Sequence, residues 1–196
     1  WRDDHAGWVG HGMRLWKRSH LQKMFGVHRP MLFDKPDATR RHMVWGLNDA
    51  QDAPPDNTVH VEDGFLRSRG LGSELVPPLS LVLDDLGIYY DPTHESRLEK
   101  LIASRAQLRP DQTLRCDALI RSLRKLGLSK YNLQSENPQE DLVFPDGRLI
   151  LVPGQVEDDA SIRLGAGHIC TNLGLLEQVC AENPNATILY KPHPDV

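Results

Sequence analysis

Three clusters of polar side chains in this sequence each follow a short run of apolar residues, and their residue types suit acid–base and group-transfer chemistry. They span residues 62–64, 155–161 and 191–194. In open α/β sheets, ligands bind beyond the carboxyl ends of the strands, where the second and third clusters would lie. We therefore expect segments 153–159 and 191–195 to meet at one site.

The second cluster combines three carboxylates with an amide and a hydroxyl. Its members are Glu157, Asp158, Asp159, Gln155 and Ser161. A carboxylate held beside a reacting carbon can act as a nucleophile or stabilise an oxocarbenium-like transition state. A solvated surface loop has the same composition, so the cluster alone leaves both interpretations open.

The third cluster, Lys191-Pro-His-Pro194, contains two prolines that restrict the backbone around a histidine. This turn would present Lys191 and His193 at a strand end, where both suit a phosphate oxygen. A structural histidine in a rigid turn is the alternative interpretation.

In the first cluster, Glu62 and Asp63 precede Gly64, and glycine permits backbone conformations that other residues avoid. One of the two acids could act as a general base. Arg67 and Arg69 follow closely and could pair with these acids or contact an anionic substrate. An ordinary surface ion pair is equally compatible with the pattern.

The patterns typical of metal and nucleotide cofactor sites do not occur in the sequence. His168 and Cys170 form an isolated pair, there is no HExxH, and Asp84-Asp85 lacks a partner at DxD spacing. The GxGxxG and GxxxxGK[ST] motifs are also absent. We expect no essential metal and no cofactor.

Composition and charge indicate a folded, soluble chain without a nucleic-acid partner. Hydrophobic residues make up 39% and charged residues 26%, and the formal net charge is −4. These values are ordinary for a globular protein and give no basic field for a phosphate backbone. No apolar run approaches the roughly 18 to 20 residues that span a bilayer, and no signal-peptide pattern opens the sequence. The three cysteines lack CxxC spacing, which favours reduced thiols in the cytoplasm.

The patterns predict two α/β domains. We assign residues 1–132 to the first domain and 148–196 to the second, joined by an aperiodic linker at 133–147 that contains two prolines. The chain begins with Trp1 rather than Met and ends directly after a strand-like run. We therefore expect it to be part of a longer protein, with an incomplete second domain.

Periodicity and turn residues place the elements within these domains. The expected strands lie at residues 43–45, 59–61, 80–83, 88–90, 149–152 and 187–190. The expected helices lie around residues 12–25, 98–102, 111–126 and 173–182. Thr93 or Ser96 would cap the second helix, and Asp111 would cap the third, which ends at Gly127. Its leucine stripe is typical of core packing, and the continuous apolar run at 149–152 is typical of a parallel strand covered on both faces.

The sequence also resembles a known family, the Kdo transferases of capsule polysaccharide biosynthesis of the KpsC (LipA) type. The resemblance runs from about Trp16 to Val196 and is weakest in the N-terminal third. The matching stretches are 61–72 (VEDGFLRSRGLG), 77–91 (PPLSLVLDDLGIYYD), 128–132 (LSKYN), 152–162 (VPGQVEDDASI) and 190–196 (YKPHPDV).

The resemblance implies a GT-B-like fold, in which two Rossmann-like domains face a cleft. It implies a metal-independent, retaining β-Kdo glycosyltransferase that transfers Kdo from CMP-Kdo to a lipid-linked oligo-Kdo acceptor, carried on a phosphatidylglycerol-type lipid. The implied location is cytoplasmic, peripheral at the inner face of the membrane, and a capsule assembly and export complex is a candidate partner. Full-length members carry two transferase modules, and segments 62–72 and 154–162 are similar to the second.

The family pattern can be carried over residue by residue. Its acidic pair falls on Glu62 and Asp63, and its Q-x-x-x-D element falls on Gln155 and Asp159. A retaining reaction needs a nucleophile opposite the leaving CMP, which we assign to Asp159 with Asp158 as the alternative. Glu62 or Asp63 would activate the acceptor hydroxyl.

The family's H-P element falls on His193 and Pro194, and Lys191 and His193 would stabilise the CMP phosphate. The implied substrate-binding residues are Arg67, Arg69, Gln155, Ser161, Lys191, His193 and Pro194. The Ser/Thr-containing segment expected for nucleotide binding would lie downstream of Val196. We therefore expect the 196-residue chain alone to bind CMP-Kdo weakly and not to turn it over.

Two other functions fit parts of the sequence. A glycerophosphotransferase that uses CDP-glycerol is one, since teichoic acid polymerases resemble the chain at the strand followed by His-Pro. A non-catalytic capsule-assembly scaffold or oligosaccharide-binding module is the other. Glu62-Asp63-Gly64 with Gln155-x-x-x-Asp159 favours Kdo transfer over glycerophosphotransfer, and Glu62, Asp159 and His193 together argue against a non-catalytic module.

Overall fold

The computed structural model describes residues 5–35, 37–47, 53–133 and 143–195. The chain divides into two compact units: Trp1–Tyr89 with Thr93–Leu133, and Tyr90–Pro92 with Gln134–Val196. The larger part of the proposed linker, residues 134–142, lies outside the described residues.

The first unit contains a sheet of mixed direction that is mostly parallel. Its strands are β1 (Trp8–His11), β2 (Leu32–Phe33), β3 (Arg41–Trp45), β4 (Thr58–Asp63) and β5 (Leu81–Asp84). The strand order is β2-β1-β3-β4-β5, and only the β4–β5 pairing of this sheet is antiparallel. The prediction of an α/β fold with a parallel-rich sheet is confirmed.

One face of this sheet packs against helix α1 (Leu15–Phe25). Residues four apart on a helix share a face, and Leu21 and Phe25 of α1 are both buried in the core. From the sheet, Met43, Val59 and Val61 are completely or almost completely buried beside them. Burial of each such side chain contributes about 1.5–3 kcal/mol, so this layer fixes α1 against β3 and β4.

The strand predicted at 88–90 is not formed, because the side chain of Asp84 turns the chain at the end of β5. Its Oδ1 accepts hydrogen bonds from the backbone N–H groups of Leu86 and Gly87, at 2.9 and 3.0 Å. Its Oδ2 accepts the Arg97 N–H at 2.8 Å, at the start of helix α2 (Arg97–Ser104). Asp84 is therefore a buried structural carboxylate.

Two helices complete the first unit, α2 and α3 (Pro110–Leu126). Ser96 caps α2 in a capping box with Glu99, which decides between the two predicted caps. The predicted cap at Asp111 is wrong: proline occupies the first turn of α3, and the N-cap is Arg109. Gly127 ends α3 in the left-handed conformation, as predicted.

The leucine stripe of α3 is not buried within the described structure. Leu119 and Leu126 are 52% and 66% exposed. The prediction that this stripe packs in a core is therefore wrong for the described structure.

The second unit contains the parallel pair β6 (Leu149–Pro153) and β7 (Thr187–Lys191), with helices α4 (Ala160–Gly165) and α5 (Asn172–Glu182) between them in sequence. Val152 of β6 is buried, whereas Leu151 is 62% exposed. The prediction that β6 is covered on both faces is thus wrong for the described structure. None of the described helices is long and apolar enough to cross a membrane.

Candidate functional site

Glu62 and Asp63 are the last two residues of β4. Side chains alternate along a strand, so Asp63 shares the α1-facing side with Val59 and Val61. β4 pairs with the antiparallel edge strand β5 up to Asp63, and the next backbone N–H, of Gly64, donates to the Ser80 carbonyl at 2.8 Å. The sheet thus fixes the backbone of both acids.

Gly64 is required by this close approach. A Cβ at this position would lie 2.1 Å from Ser80 Oγ and 2.8 Å from the Ser80 carbonyl carbon, closer than real Cβ contacts. The glycine that follows the two acids therefore serves strand pairing.

Arg67 pairs with Asp63 inside the protein. Its Nε donates to Asp63 Oδ2 at 2.5 Å, its Nη1 donates to Ser68 Oγ at 2.8 Å, and the residue is 1% exposed. A Cβ at Gly72 would lie 2.9 Å from Arg67 Nη2, so a glycine there makes room for the guanidinium. Of the two arginines predicted to pair with the acids or contact substrate, Arg67 pairs with Asp63, whereas Arg69 is exposed.

The stretch 128–132 holds the loop that carries Arg67. The Lys130 carbonyl accepts the N–H groups of Arg67 and Ser68, at 2.8 and 3.2 Å. The side chain of Asn132 donates to the Ser68 carbonyl at 2.9 Å, and Asn132 has a φ of 49°, a conformation that asparagine tolerates. Sequence reasoning gave this stretch no role, because its hydrogen bonds join segments far apart in the chain.

The environment of Glu62 suits a general base. Burial raises its pKa above the ordinary 4.5, and the neighbouring Asp63 carboxylate adds to the rise. The hydrogen bond from the Asp63 N–H, 2.9 Å from Glu62 Oε1, and the charges of Lys17 and Lys130 oppose it. A carboxylate with a raised pKa accepts a proton more readily than an exposed one.

Lys17 belongs to this site, and sequence reasoning missed it. It occupies the buried face of α1, one turn before Leu21, and is 9% exposed. Its Nζ lies 3.0 Å from the centroid of the Trp45 ring. Burial lowers the pKa of Lys17 from 10.5 to about 8, while the charges of Asp63 and Glu62 oppose the decrease. The sequence signal that could have found it is the four-residue spacing of Lys17 from Leu21 and of Leu21 from Phe25, which places the lysine on the buried face of the helix.

In the second unit, the parallel pairing of β6 and β7 brings segments 153–159 and 191–195 to the same edge of the sheet. Pro153 is opposite Lys191 in the register, and the Gly154 N–H donates to the Lys191 carbonyl at 2.7 Å. A Cβ at Gly154 would lie 2.4 Å from the Tyr190 hydroxyl oxygen. This glycine lets the two segments approach each other.

Asp159 is the N-cap residue of α4. Its Oδ1 accepts hydrogen bonds from the Ser161 backbone N–H at 2.8 Å and from the Ser161 hydroxyl at 2.6 Å. Asp158, the alternative nucleophile, is exposed beside it. The structure thus brings Asp159 and Ser161 together, and this contact by itself serves to cap the start of α4.

Gln155 and Glu157 are held by Asn172, the first residue of α5. Asn172 Oδ1 accepts the Gln155 N–H at 2.8 Å, and its Nδ2 donates to the Gln155 carbonyl at 2.9 Å. Glu157 Oε1 accepts the Asn172 N–H at 2.7 Å, which places a negative charge at the start of the helix. Asn172 escaped sequence reasoning because only the fold brings it to the cluster.

The turn after β7 orients His193. Its Nδ1 accepts the Asp195 N–H at 3.1 Å, so the neutral ring carries its proton on Nε2. Lys191 and Pro194 are exposed on either side. Among the described residues, no group of three or more His, Cys, Asp or Glu side chains could hold a metal ion.

Comparisons with known proteins cover both units. The family model described as capsule polysaccharide biosynthesis protein matches residues 49–121 and 120–196. Capsule polysaccharide modification protein LipA from two Neisseria meningitidis strains, of serogroups A and B, is 42% identical over 203 residues, which is 94% of this chain and 28% of LipA. Lipopolysaccharide-processing protein LpsZ of Rhizobium meliloti is 48% identical over 141 residues, covering 69% of this chain and 31% of LpsZ. The chain spans less than a third of these relatives' length.

Two solved structures are also similar, both of KpsC from Thermosulfurimonas dismutans. The β-Kdo 2,7 transferase matches with a TM-score of 0.71 and 33% identity, over 97% of this chain and 62% of that one. The β-Kdo 2,4 transferase matches with a TM-score of 0.78 and 31% identity, over 98% and 62%.

Proposed function

This chain belongs to the capsule polysaccharide biosynthesis protein family, and from that premise we propose that it is part of a glycosyltransferase that adds Kdo during capsule synthesis. The observation that carries the proposal is the similarity to two Kdo transferase structures along 97% and 98% of the chain, at 33% and 31% identity. Both described clusters of acidic residues fall within the matched region.

The finer parts of the proposal are the donor, the stereochemistry and the acceptor. The donor is CMP-Kdo, the reaction proceeds with retention, and the acceptor is a lipid-linked oligo-Kdo at the inner face of the membrane. A GT-B-like pair of Rossmann-like domains is the proposed architecture, supported by the division into two α/β units. Assignment to the second of two tandem modules is also part of the proposal.

The first unit supplies the base in this mechanism. Glu62 accepts the proton of the acceptor hydroxyl as the hydroxyl oxygen attacks C2 of Kdo. Burial, which raises the pKa of Glu62, makes this proton transfer more favourable than for an exposed glutamate. Asp63 is the alternative base, although its Oδ2 already accepts a hydrogen bond from Arg67.

The second unit supplies the nucleophile and the groups that bind the leaving CMP. In the first step, a carboxylate oxygen of Asp159, or alternatively Asp158, bonds to C2 of Kdo, and CMP departs with the electrons of the broken C–O bond. In the second, the acceptor oxygen displaces that carboxylate. Lys191 and the Nε2–H of His193 stabilise the charge on the CMP phosphate, and no metal is required.

The test is CMP release from CMP-Kdo by the full-length gene product, with a synthetic Kdo acceptor and linkage analysis of the product. Glu62→Gln should reduce turnover at least 100-fold, a typical contribution of general acid–base catalysis. Glu74→Gln is the matched control, because Glu74 is exposed and its substitution removes the same charge.

Turnover with CDP-glycerol but not CMP-Kdo would replace the proposal with glycerophosphotransfer. Acceptor binding without CMP release would replace it with a binding module. Calorimetric titration with CMP should give weaker binding for residues 1–196 than for the full-length gene product. Equal affinities would show that the donor site is complete within these residues.

A further inference from the structure

A charged lysine occupies a core position on the α1-facing side of the sheet, the side that Asp63 shares. The buried face of α1 consists of Lys17, Leu21 and Phe25, spaced four residues apart. An apolar residue would fill the first of these positions at no desolvation cost. We propose that Lys17 is a positioning residue whose ammonium is the buried counter-charge of the Glu62 and Asp63 carboxylates.

The surroundings of Lys17 explain why a cation is needed there. Asp63 Oδ2 is bonded to Arg67, whereas Asp63 Oδ1 is buried and has no hydrogen-bond partner within the described part of the chain. A buried carboxylate oxygen without a partner costs free energy unless a positive charge lies near it. The charges of Asp63 and Glu62 both favour the ammonium form of Lys17, and Asp63 lies on the α1-facing side of the sheet.

The charges of the cluster balance when all its members are ionised. Glu62 and Asp63 carry two negative charges, and Lys17 and Arg67 carry two positive ones. Arg14, the residue directly before α1, repels Lys17, and Lys130, in the segment after α3, attracts Glu62. Loss of the Lys17 proton would leave the two carboxylates with Arg67 as the buried cation.

The face of Trp45 holds the ammonium in place. A cation over an indole ring is stabilised by the negative face of the ring, and more strongly where water is excluded. Trp45 is the last residue of β3, opposite Val61 in the register, and so lies just before the acids. Lys17 is thereby fixed between the core and the carboxylates.

The role in catalysis rests on the proposed function, but the electrostatic role can be measured without turnover. In the 196-residue chain, the carboxyl ¹³C signal of Glu62, assigned with Glu62→Gln, is titrated by NMR. Lys17→Met should raise the pKa of Glu62, because the charge of Lys17 lowers it in the wild type. Lys17→Arg keeps the charge and should restore the wild-type titration.

Two controls complete this experiment. Lys23→Met removes an equal charge from an exposed position on the same helix and should leave the Glu62 titration unchanged. Trp emission should show a transition near pH 8 in the wild type that is absent in Lys17→Met, because the cation over Trp45 loses its proton there. A Glu62 titration that is unchanged in a folded Lys17→Met chain overturns the proposal.

In the full-length gene product, the acid limb of the pH–rate profile should move to higher pH in Lys17→Met. In Lys17→Arg, which keeps the charge, the pH–rate profile should match that of the wild type. If the Glu62 titration shifts as expected and no variant transfers Kdo, the proposed function fails while the counter-charge role stands. If turnover occurs and the pH–rate profile of Lys17→Met matches the wild type, the catalytic role of Lys17 is overturned.

Discussion

The buried ammonium of Lys17 should give the first unit a stability that increases with pH. Burial lowers the pKa of Lys17 from 10.5 to about 8, a difference of about 2.5 units. At about 1.4 kcal/mol per unit, the charged form costs about 3 kcal/mol of folding free energy below pH 8. The residue is 9% exposed, so solvent screening is slight.

The sign follows from proton counting. Between pH 8 and 10.5 the unfolded lysine still holds its proton, whereas the folded one has released it. The unfolded state then binds more protons, so the free energy of unfolding rises with pH across this window. Below pH 8 both states are protonated and this group gives no pH dependence.

Urea unfolding followed by tryptophan emission measures this effect selectively. All four tryptophans precede residue 46, so the signal reports on the first unit. Between pH 7.5 and 10.5, the free energy of unfolding of the wild type should rise by about 3 kcal/mol relative to Lys17→Met. Lys23→Met should follow the wild type. Parallel curves for the wild type and Lys17→Met would refute the argument that burial lowers the pKa of Lys17.

Three further outcomes are expected. Asp159→Ala should abolish turnover and, by removing the N-cap of α4, lower the stability by about 1 kcal/mol in thermal unfolding. Asp159→Asn should keep the cap and still abolish turnover, and an active Asp159→Asn enzyme would exclude this residue as nucleophile. Gly64→Ala should destabilise the first unit by about 1–3 kcal/mol in urea unfolding, because the added Cβ would overlap Ser80. Gly165→Ala should cause no such loss, because a Cβ there meets nothing within 4 Å. Equal stabilities of the two variants would contradict the overlap with Ser80. Turnover should survive EDTA, and a loss restored by Mg²⁺ would show that a metal is needed.

The sequence by itself located most of the elements and the three polar clusters. The alternating pattern before Glu62 and the apolar runs before Gln155 and Lys191 are local signals of strands, and β4, β6 and β7 lie there. The polar residues directly after each of these strands are equally visible in the local sequence. The clusters could therefore be recognised, and the family resemblance with them, from short stretches of chain.

Local sequence patterns gave a wrong prediction where a side chain accepts hydrogen bonds from the backbone in place of a neighbouring strand. Residues 88–90 are apolar enough for a strand, but Asp84 satisfies the backbone N–H groups that come after β5 and turns the chain into α2. The exposure of Leu151 likewise depends on which elements cover β6, and one strand's composition does not contain that information.

Only the tertiary structure decided how the acids are surrounded. Lys17, Arg67 and Lys130 reach Glu62 and Asp63 from three separate segments, and the packing of α1 on the sheet is what buries the lysine. The same charges in water would interact weakly, because the solvent screens them. Sequence determines which ionisable groups are present, but the pKa shifts of Lys17 and Glu62 are caused mainly by burial, and burial exists only once the chain has folded.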